Sequence, residues 1–347
     1  MIRHFEVRSF KSLREANLDF GNMNIFIGAN GAGKTNILEA IGVISAAAYG
    51  VVDDESLMRR GIRPGVPRLY KTSNKAYQIS PHISFEVADE HCQYSVSLLN
   101  PLENPRPKWH FKTEKIVDDG KERYSRGVKS NIDPESGGIP AVLASPDVSR
   151  STIKFLSELR NYALYNPNTP ALRGVIPDPQ TRMPVGLSGG GLSEGLQGLL
   201  DLAKSDDDLD DAIASVEGLF DWVGDIATST QNSRILSPSL PRTKRTITFT
   251  DAYMKDNRLT AADASEGVLY ALFLMVLCLS PNGPKVFSVD NIDQALNPRL
   301  VKALMRLLQE WFHDIIPQKQ LFCTAHNPVV LDSLDVYDDT VRLFVVD

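Results

Sequence analysis

The segment Gly28-Ala29-Asn30-Gly31-Ala32-Gly33-Lys34-Thr35 satisfies the spacing G-x-x-x-x-G-K-[ST] at every fixed position. That spacing serves phosphate chemistry. Glycines let the backbone turn so that successive N–H groups converge on phosphate oxygens. A lysine adds a mobile positive charge for the outer phosphates, and a threonine hydroxyl can ligate Mg²⁺. Asn30, Gly31, Ala32, Gly33, Lys34, Thr35 and Asn36 are therefore the candidate nucleotide-binding residues, with Thr35 also a candidate metal ligand.

Three further places carry chemistry near the other end of the chain. Pro284–Asp290 is an apolar run that ends in an aspartate, the form of a buried parallel strand offering a carboxylate to a metal shell at its C-terminal end. Gln320–Thr324 is a second buried run, leading into Ala325-His326-Asn327-Pro328, and a histidine at that strand end is placed to contact a γ-phosphate. Ala264-Ser265-Glu266-Gly267 precedes an apolar helical run, where exposed N–H groups and the helix dipole attract anions. The plainer role for Ser265 is a helix N-cap. It stands 25 residues before Asp290, the length of one helix plus one turn and strand, which favours the functional role.

The elements around these residues can be read from periodicity. Ile2–Val7, Ala16–Phe20 and Met23–Ile27 read as strands, Asn36–Ala48 and Val268–Leu279 as helices, Arg299–Phe312 as a helix opened by Leu296-Asn297-Pro298, and Val341–Val346 as a last strand. In the middle, Ile83–Val87, Tyr94–Leu98 and Trp109–Phe111 read as strands of an antiparallel subdomain. Ser151–Tyr165 and Leu192–Val223 read as helices of an inserted region.

The strings GANGAGKTNILEAI, ASEG, VFSVDNIDQALNP and TAHNP together resemble the ABC-type ATPase heads of RecF, SMC and OLD-like proteins, most of all the compact predicted ATPases of phage-defence and DNA-repair loci. The resemblance covers both ends of the chain well and the middle loosely. It implies an α/β P-loop NTPase with a mixed core sheet, an antiparallel β subdomain and an inserted helical region. The corresponding divisions are 1–115 with the Walker A loop, 116–250 as the insertion, and 251–347 with the signature, Walker B and switch histidine. It also implies ATP and Mg²⁺ as cofactors, and a head-to-tail homodimer or higher oligomer in which each nucleotide is sandwiched between one copy's Walker A loop and the other's Ser265, Glu266 and Gly267. Asp290 matches the Walker B aspartate, a metal ligand with Thr35, and His326 matches the switch histidine.

One position departs from that pattern. The family usually carries Asp-Glu at the strand end, the glutamate polarising the attacking water, and this chain has Asp290-Asn291. An amide can hold a water but cannot take its proton, which puts general-base help worth roughly 10²–10⁴-fold in question. Asp293 is near enough to substitute, although it matches the second acid of the usual string. Asp290, Asn291, Asp293 and His326 are the candidate catalytic residues, and slow or absent hydrolysis is one expected outcome.

Composition narrows the class. With 347 residues, 42% hydrophobic and 23% charged, the chain can build a sizeable core and is not disordered. A net charge of −6 excludes a globally basic nucleic-acid binder while leaving room for a local basic face. Cys92, Cys278 and Cys323 lie far apart and in no metal-ligand spacing, which points to a reducing compartment without a disulfide framework. The N-terminus lacks the apolar core of a signal peptide, and Val268–Leu279, about 12 residues, is too short to span a bilayer. A cytoplasmic protein with no membrane partner is expected.

Three stretches invite over-reading. Leu187-Ser188-Gly189-Gly190-Gly191 nearly spells an ABC signature, but it lies 102 residues before Asp290, about four times the distance a signature helix needs, so it reads as a turn before Leu192–Leu202. The acidic run Asp206–Asp211 reads as a loop and helix start, with a Ca²⁺ site as the minor alternative. Arg59, Arg60, Arg63, Arg68, Lys71 and Lys75 read as a solvated basic loop, or as a contact for nucleic-acid phosphates or an acidic partner.

Three functions follow. The first is an ATP-driven switch whose closed homodimer licenses a separate effector or nuclease in DNA processing or anti-phage defence. With the sequence ending just after Val341–Val346, no C-terminal TOPRIM nuclease of the OLD-like kind is expected, and no heptad run suggests an SMC-type arm. The second is a RecF-type DNA-repair ATPase that binds DNA directly, and the third is a nucleotide-binding scaffold with little turnover.

Overall fold

The computed structural model describes residues 1–71, 82–230, 236, 239, 243–254, 256–335 and 337–347. The opening runs form β1 (His4–Phe10), β2 (Leu13–Asp19) and β3 (Met23–Gly28), followed by α1 (Lys34–Tyr49). Helix α1 ends at Gly50, whose φ of 107° suits glycine and whose N–H closes onto the Ala47 carbonyl. Short helices α2 (Asp54–Met58) and α3 (Pro67–Tyr70) lead to β4 (His82–Ala88), β5 (Cys92–Leu99), β6 (His110–Asp118) and β7 (Lys121–Arg126). Next come α4 (Ile139–Leu143), α5 (Arg150–Arg160), β8 (Ala163–Tyr165), α6 (Thr169–Leu172), α7 (Leu192–Ala203) and α8 (Asp207–Glu217). The chain continues through β9 (Val223–Ser229), β10 (Thr246–Asp251), β11 (Arg258–Thr260), α9 (Glu266–Leu279), β12 (Val286–Val289), α10 (Pro298–Glu310), β13 (Gln320–Ala325) and β14 (Val341–Val346).

The strands form three sheets among the described residues. The five-stranded sheet has the order β14-β3-β13-β12-β8, and every pairing in it is parallel. The six-stranded sheet β2-β1-β4-β5-β6-β7 and the three-stranded sheet β11-β10-β9 are antiparallel. The mixed pairing expected of this fold is thus divided by sheet. A parallel sheet needs cover on both faces, and period-two alternation supplies it. Phe287, Val289, Leu321 and Cys323 face one core, with α9 and α10, while Val286 and Phe322 face the other, with α1 and the six-stranded sheet. Every residue of α9 from Gly267 to Leu279 is buried, which is why the run shows no polar face. No helix among the described residues is long and apolar enough to cross a membrane.

Several elements differ from the periodicity reading. Ser151–Tyr165 is not one helix: α5 stops at Arg160, and Ala163–Tyr165 becomes an edge strand beside β12. A run of three apolar residues carries no period that separates strand from helix. Leu192–Val223 divides where Asp206 accepts the Leu209 N–H and starts a new helix, and Val223 already belongs to β9. The expected division after residue 115 falls inside β6, and β7 completes the N-terminal sheet beyond it. The division after residue 250 falls inside β10 for the same reason, since β10 pairs on both sides. The acidic run forms the N-cap and first turn of α8, where carboxylates complement the helix dipole.

Candidate nucleotide site

Parallel register brings the site together. Ile27 of β3 lies opposite Ala325 of β13, and Cys323 of β13 lies opposite Val289 of β12. The Gly28 loop, Asp290 and His326 therefore leave the same edge of the sheet, at the C-terminal ends of its strands. The loop geometry requires its glycines. Gly33 has φ 106°, and a Cβ there would come within 2.3 Å of the Ser12 hydroxyl. At Gly28 a Cβ would lie 2.0 Å from the Val346 carbonyl oxygen, so glycine lets β3 and β14 run side by side.

The Thr35 hydroxyl reaches both oxygens of Asp290, at 3.0 and 3.1 Å, across 255 residues of sequence. Asp290 is 8% exposed, and it also accepts from the Thr324 hydroxyl at 2.6 Å, so one carboxylate joins α1, β12 and β13. A hydroxyl and a carboxylate held this way form the oxygen donor set that suits a hard divalent cation. Lys34 donates to the carbonyls of Gly28 (2.8 Å) and Ala29 (2.9 Å) and to His326 Nδ1 at 3.2 Å. Burial pulls the Lys34 ammonium below the usual lysine range, and the charges of Asp290 and Asp293 oppose that shift.

Asn291 turns out of β12 with φ 56°, its N–H on Thr324 Oγ1 at 2.8 Å and its carbonyl accepting from the Tyr270 hydroxyl at 3.0 Å. Asp293 accepts the backbone N–H groups of His326 (2.9 Å) and Asn327 (2.5 Å), tying the histidine turn to the end of β12. Asn36 donates to Ser12 Oγ at 2.8 Å, and Asn30 and Gly31 are exposed on the loop. Ser265 occupies the N-cap position of α9, yet its hydroxyl makes no capping bond; both it and Glu266 are exposed, while Gly267 is buried. Glu266 accepts from the Thr169 hydroxyl at 2.7 Å. Ser265–Gly267 form no hydrogen bond with the Gly28–Thr35 loop of the same chain among the described residues. The Leu187–Gly191 stretch is a turn into α7, held by the Asp178 carboxylate through the Ser188 and Gly190 N–H groups.

Sequence reasoning missed a charged cluster behind the loop. Glu39, fully buried on α1, binds Arg63 through Nε (2.7 Å) and Nη2 (3.1 Å) and forms an ion pair with Lys11. Burial pushes its carboxyl up, but the two cations outweigh that and hold it below the usual range. Hydrogen bonds to Glu39 are the largest cause of a raised Arg63, and the nearby charge of Asp290 adds to them. A lone acid on an otherwise apolar helix, five residues after Lys34, was the available signal. The solvated-loop reading of the basic run fails at two residues: Arg60 and Lys71 are both 5% exposed, while Arg59 pairs with Glu55. Lys75 lies outside the described residues.

A parallel sheet, a glycine-rich loop opening α1, a strand-end carboxylate on the loop threonine and a histidine on the loop lysine define an ABC-type ATPase head of the RecF/SMC group. Residues 23–332 match the family described as "AAA domain, putative AbiEii toxin, Type IV TA system", and the chain belongs to that family. The DNA replication and repair protein RecF of Leifsonia xyli subsp. xyli is 28% identical over 108 residues, covering 30% of this chain and 28% of that protein. RecF of Lactobacillus acidophilus is 54% identical over 39 residues, covering 11% and 10%. The match to the first of these relatives thus spans little more than a quarter of its length. Among solved structures, an SMC head bound to the C-winged helix domain of ScpA superposes with a TM-score of 0.54 at 13% identity, covering 96% of this chain and 92% of that one.

Proposed function

We propose that this chain is an ATP-dependent switch. Mg²⁺-ATP binds at Asn30–Asn36, a second copy supplies Ser265, Glu266 and Gly267, and closure of the pair controls a separate effector in DNA processing or anti-phage defence. The observation that carries this reading is the Thr35–Asp290 contact, with Lys34 on His326 beside it. Together they set a metal-ligand pair next to a cation and a histidine at the mouth of a phosphate-binding loop.

The residues fit the group. Thr35 and Asp290 would hold Mg²⁺, which when bound neutralises charge on the β- and γ-phosphates. The N–H groups of the loop bind phosphate oxygens, and Lys34 exchanges its carbonyl contacts for the outer phosphates. His326, its backbone N–H held by Asp293, would be available to the γ-phosphate. Because its carboxylate already accepts two N–H groups, Asp293 serves as a positioning residue in this scheme. The exposed, uncapped Ser265 hydroxyl at the N-terminus of α9 is free to meet a phosphate presented by another copy.

Asn291 favours one further reading, a scaffold that assembles on ATP and turns over slowly, since its amide orients water without accepting a proton. The RecF-type alternative, direct DNA binding, rests on the matched segments alone. Light scattering with and without ATP tests the switch. Wild type should dimerise on ATP, and Ser265→Arg should bind ATP normally yet stay monomeric. ATP-dependent dimers of Ser265→Arg would overturn the sandwich.

A further inference from the structure

Helix α1 is 16 residues long, so its C-terminal end lies roughly 22 Å from Lys34. At that far end, a cavity of about 630 Å³ is lined by Tyr49, Arg59, Arg60, Arg160 and Arg182, with Asp53 and Glu55 at its wall. It shares no residue with the nucleotide site. Distant segments build it: Arg59 and Arg60 follow α2, Arg160 ends α5, and Arg182 comes from the loop before α7.

The charges in this cavity are not balanced. Glu55 pairs with Arg59, and the Asp53 carboxylate is taken by the Ser56 N–H at the start of α2. Among the described residues, Arg60, Arg160 and Arg182 have no carboxylate partner. Arg60, 5% exposed, spends its donors on Ser45 Oγ (2.8 Å) and on the carbonyls of Ser56 (2.8 Å) and Arg160 (2.9 Å). Among the described residues, Arg182 reaches only the carbonyls of Asn161 (3.0 Å), Tyr162 (3.3 Å) and Arg59 (3.5 Å). Arg160 lies over the Tyr49 ring, 5.1 Å from its centroid, and its buried Nε has no hydrogen-bond partner. Burial, reinforced by Arg182, Arg160 and Arg59, pulls the Arg60 guanidinium down to about 10. Three guanidinium groups without a carboxylate partner, converging on one cavity, carry a repulsion that an anion relieves.

We propose that this cavity is a second anion site, in which Arg160 and Arg182 bind the terminal phosphate of a nucleotide-type ligand with Arg60 as the fixed charge behind them. Guanidinium forks match phosphate oxygens bidentately, and the cavity volume suits a small ligand or one strand end. Two sources carry this group: a free phosphorylated nucleotide, and the 5′-phosphate of a nucleic-acid strand.

The test uses the full chain as wild type, Lys34→Ala, Arg160→Gln and Arg182→Gln, with thermal melting as the folding control. The probes are inorganic pyrophosphate, followed by calorimetry, and labelled hexathymidylate carrying either a 5′-phosphate or a 5′-hydroxyl. Pyrophosphate binding that survives Lys34→Ala and weakens at least tenfold in Arg160→Gln supports the site. A tenfold preference for the phosphorylated end, lost in Arg160→Gln, identifies a strand end as the source; pyrophosphate binding with the two ends equal identifies the free anion. If Arg182→Gln melts early because its carbonyl tethers are lost, Arg160→Gln decides, since the Arg160 side chain holds no described residue by a hydrogen bond. Binding that disappears with Lys34→Ala and is untouched by Arg160→Gln, or no binding to any probe, overturns the proposal.

Discussion

Replacing Asn291 by glutamate tests whether this strand end is a weakened catalytic site. The backbone there has φ 56°, fixed by the Thr324 hydroxyl on one side and the Tyr270 hydroxyl on the other. Asparagine tolerates that left-handed conformation, whereas glutamate should lose roughly 1 kcal/mol by adopting it. At about 2.1 cal/mol/K of unfolding entropy per residue, a chain of 347 residues should then melt only about 1–2 °C lower, so the variant remains assayable. Against that small loss stands a carboxylate able to take a proton from water. General-base help spans roughly 10²–10⁴-fold, and with imperfect placement a gain of at least tenfold, about 1.4 kcal/mol off the barrier, is expected. Steady-state phosphate release and a single-turnover measurement on wild type, Asn291→Glu and Asp293→Ala give the answer. Asp293→Ala should slow turnover by loosening the His326 turn, and Asn291→Glu should still accelerate a chain that retains Asp293. A wild type that hydrolyses ATP briskly, together with a folded Asn291→Glu of unchanged rate, refutes the reasoning.

Lys34→Ala should weaken ATP binding at least tenfold in calorimetry. Because Lys34 is buried on the carbonyls of its own loop rather than solvated, it should also lower stability, by about 1 kcal/mol. Glu39→Ala leaves the mostly buried Lys11 without its carboxylate, while the exposed Arg63 rehydrates, and should destabilise the chain by roughly 1.5–3 kcal/mol in urea titration at pH 7. Since the folded Glu39 carboxyl is held below its ordinary value, its contribution is complete above about pH 4.3 and is lost as pH falls through the folded value. The gap between wild type and Glu39→Ala should therefore narrow in acid. Gly28→Ala should drive a methyl group into the Val346 carbonyl and strip hydrogen-exchange protection from Val341–Val346; full protection would contradict the close approach.

Much of the candidate site was legible because it is local. The phosphate loop is eight consecutive residues, and Asp290 and His326 each end an apolar run that has few ways to fold. Helix α9 was equally plain, since a long apolar segment must be buried all round. The middle was obscure for the opposite reason: β8 is three residues long, and only the partners beside it make it a strand. Tertiary structure alone decided which charges meet. The order β14-β3-β13-β12-β8 interleaves distant parts of the chain, and that order sets Thr35 on Asp290 and Lys34 on His326. The same holds for the basic run, where neighbours in sequence part company: Arg63 turns to Glu39 beside the nucleotide site, while Arg60 is buried at the other end of α1, next to the half-buried Arg160 and Arg182. Composition counts such residues as alike, and only burial and the identity of the facing carboxylate distinguish a paired charge from an unpaired one.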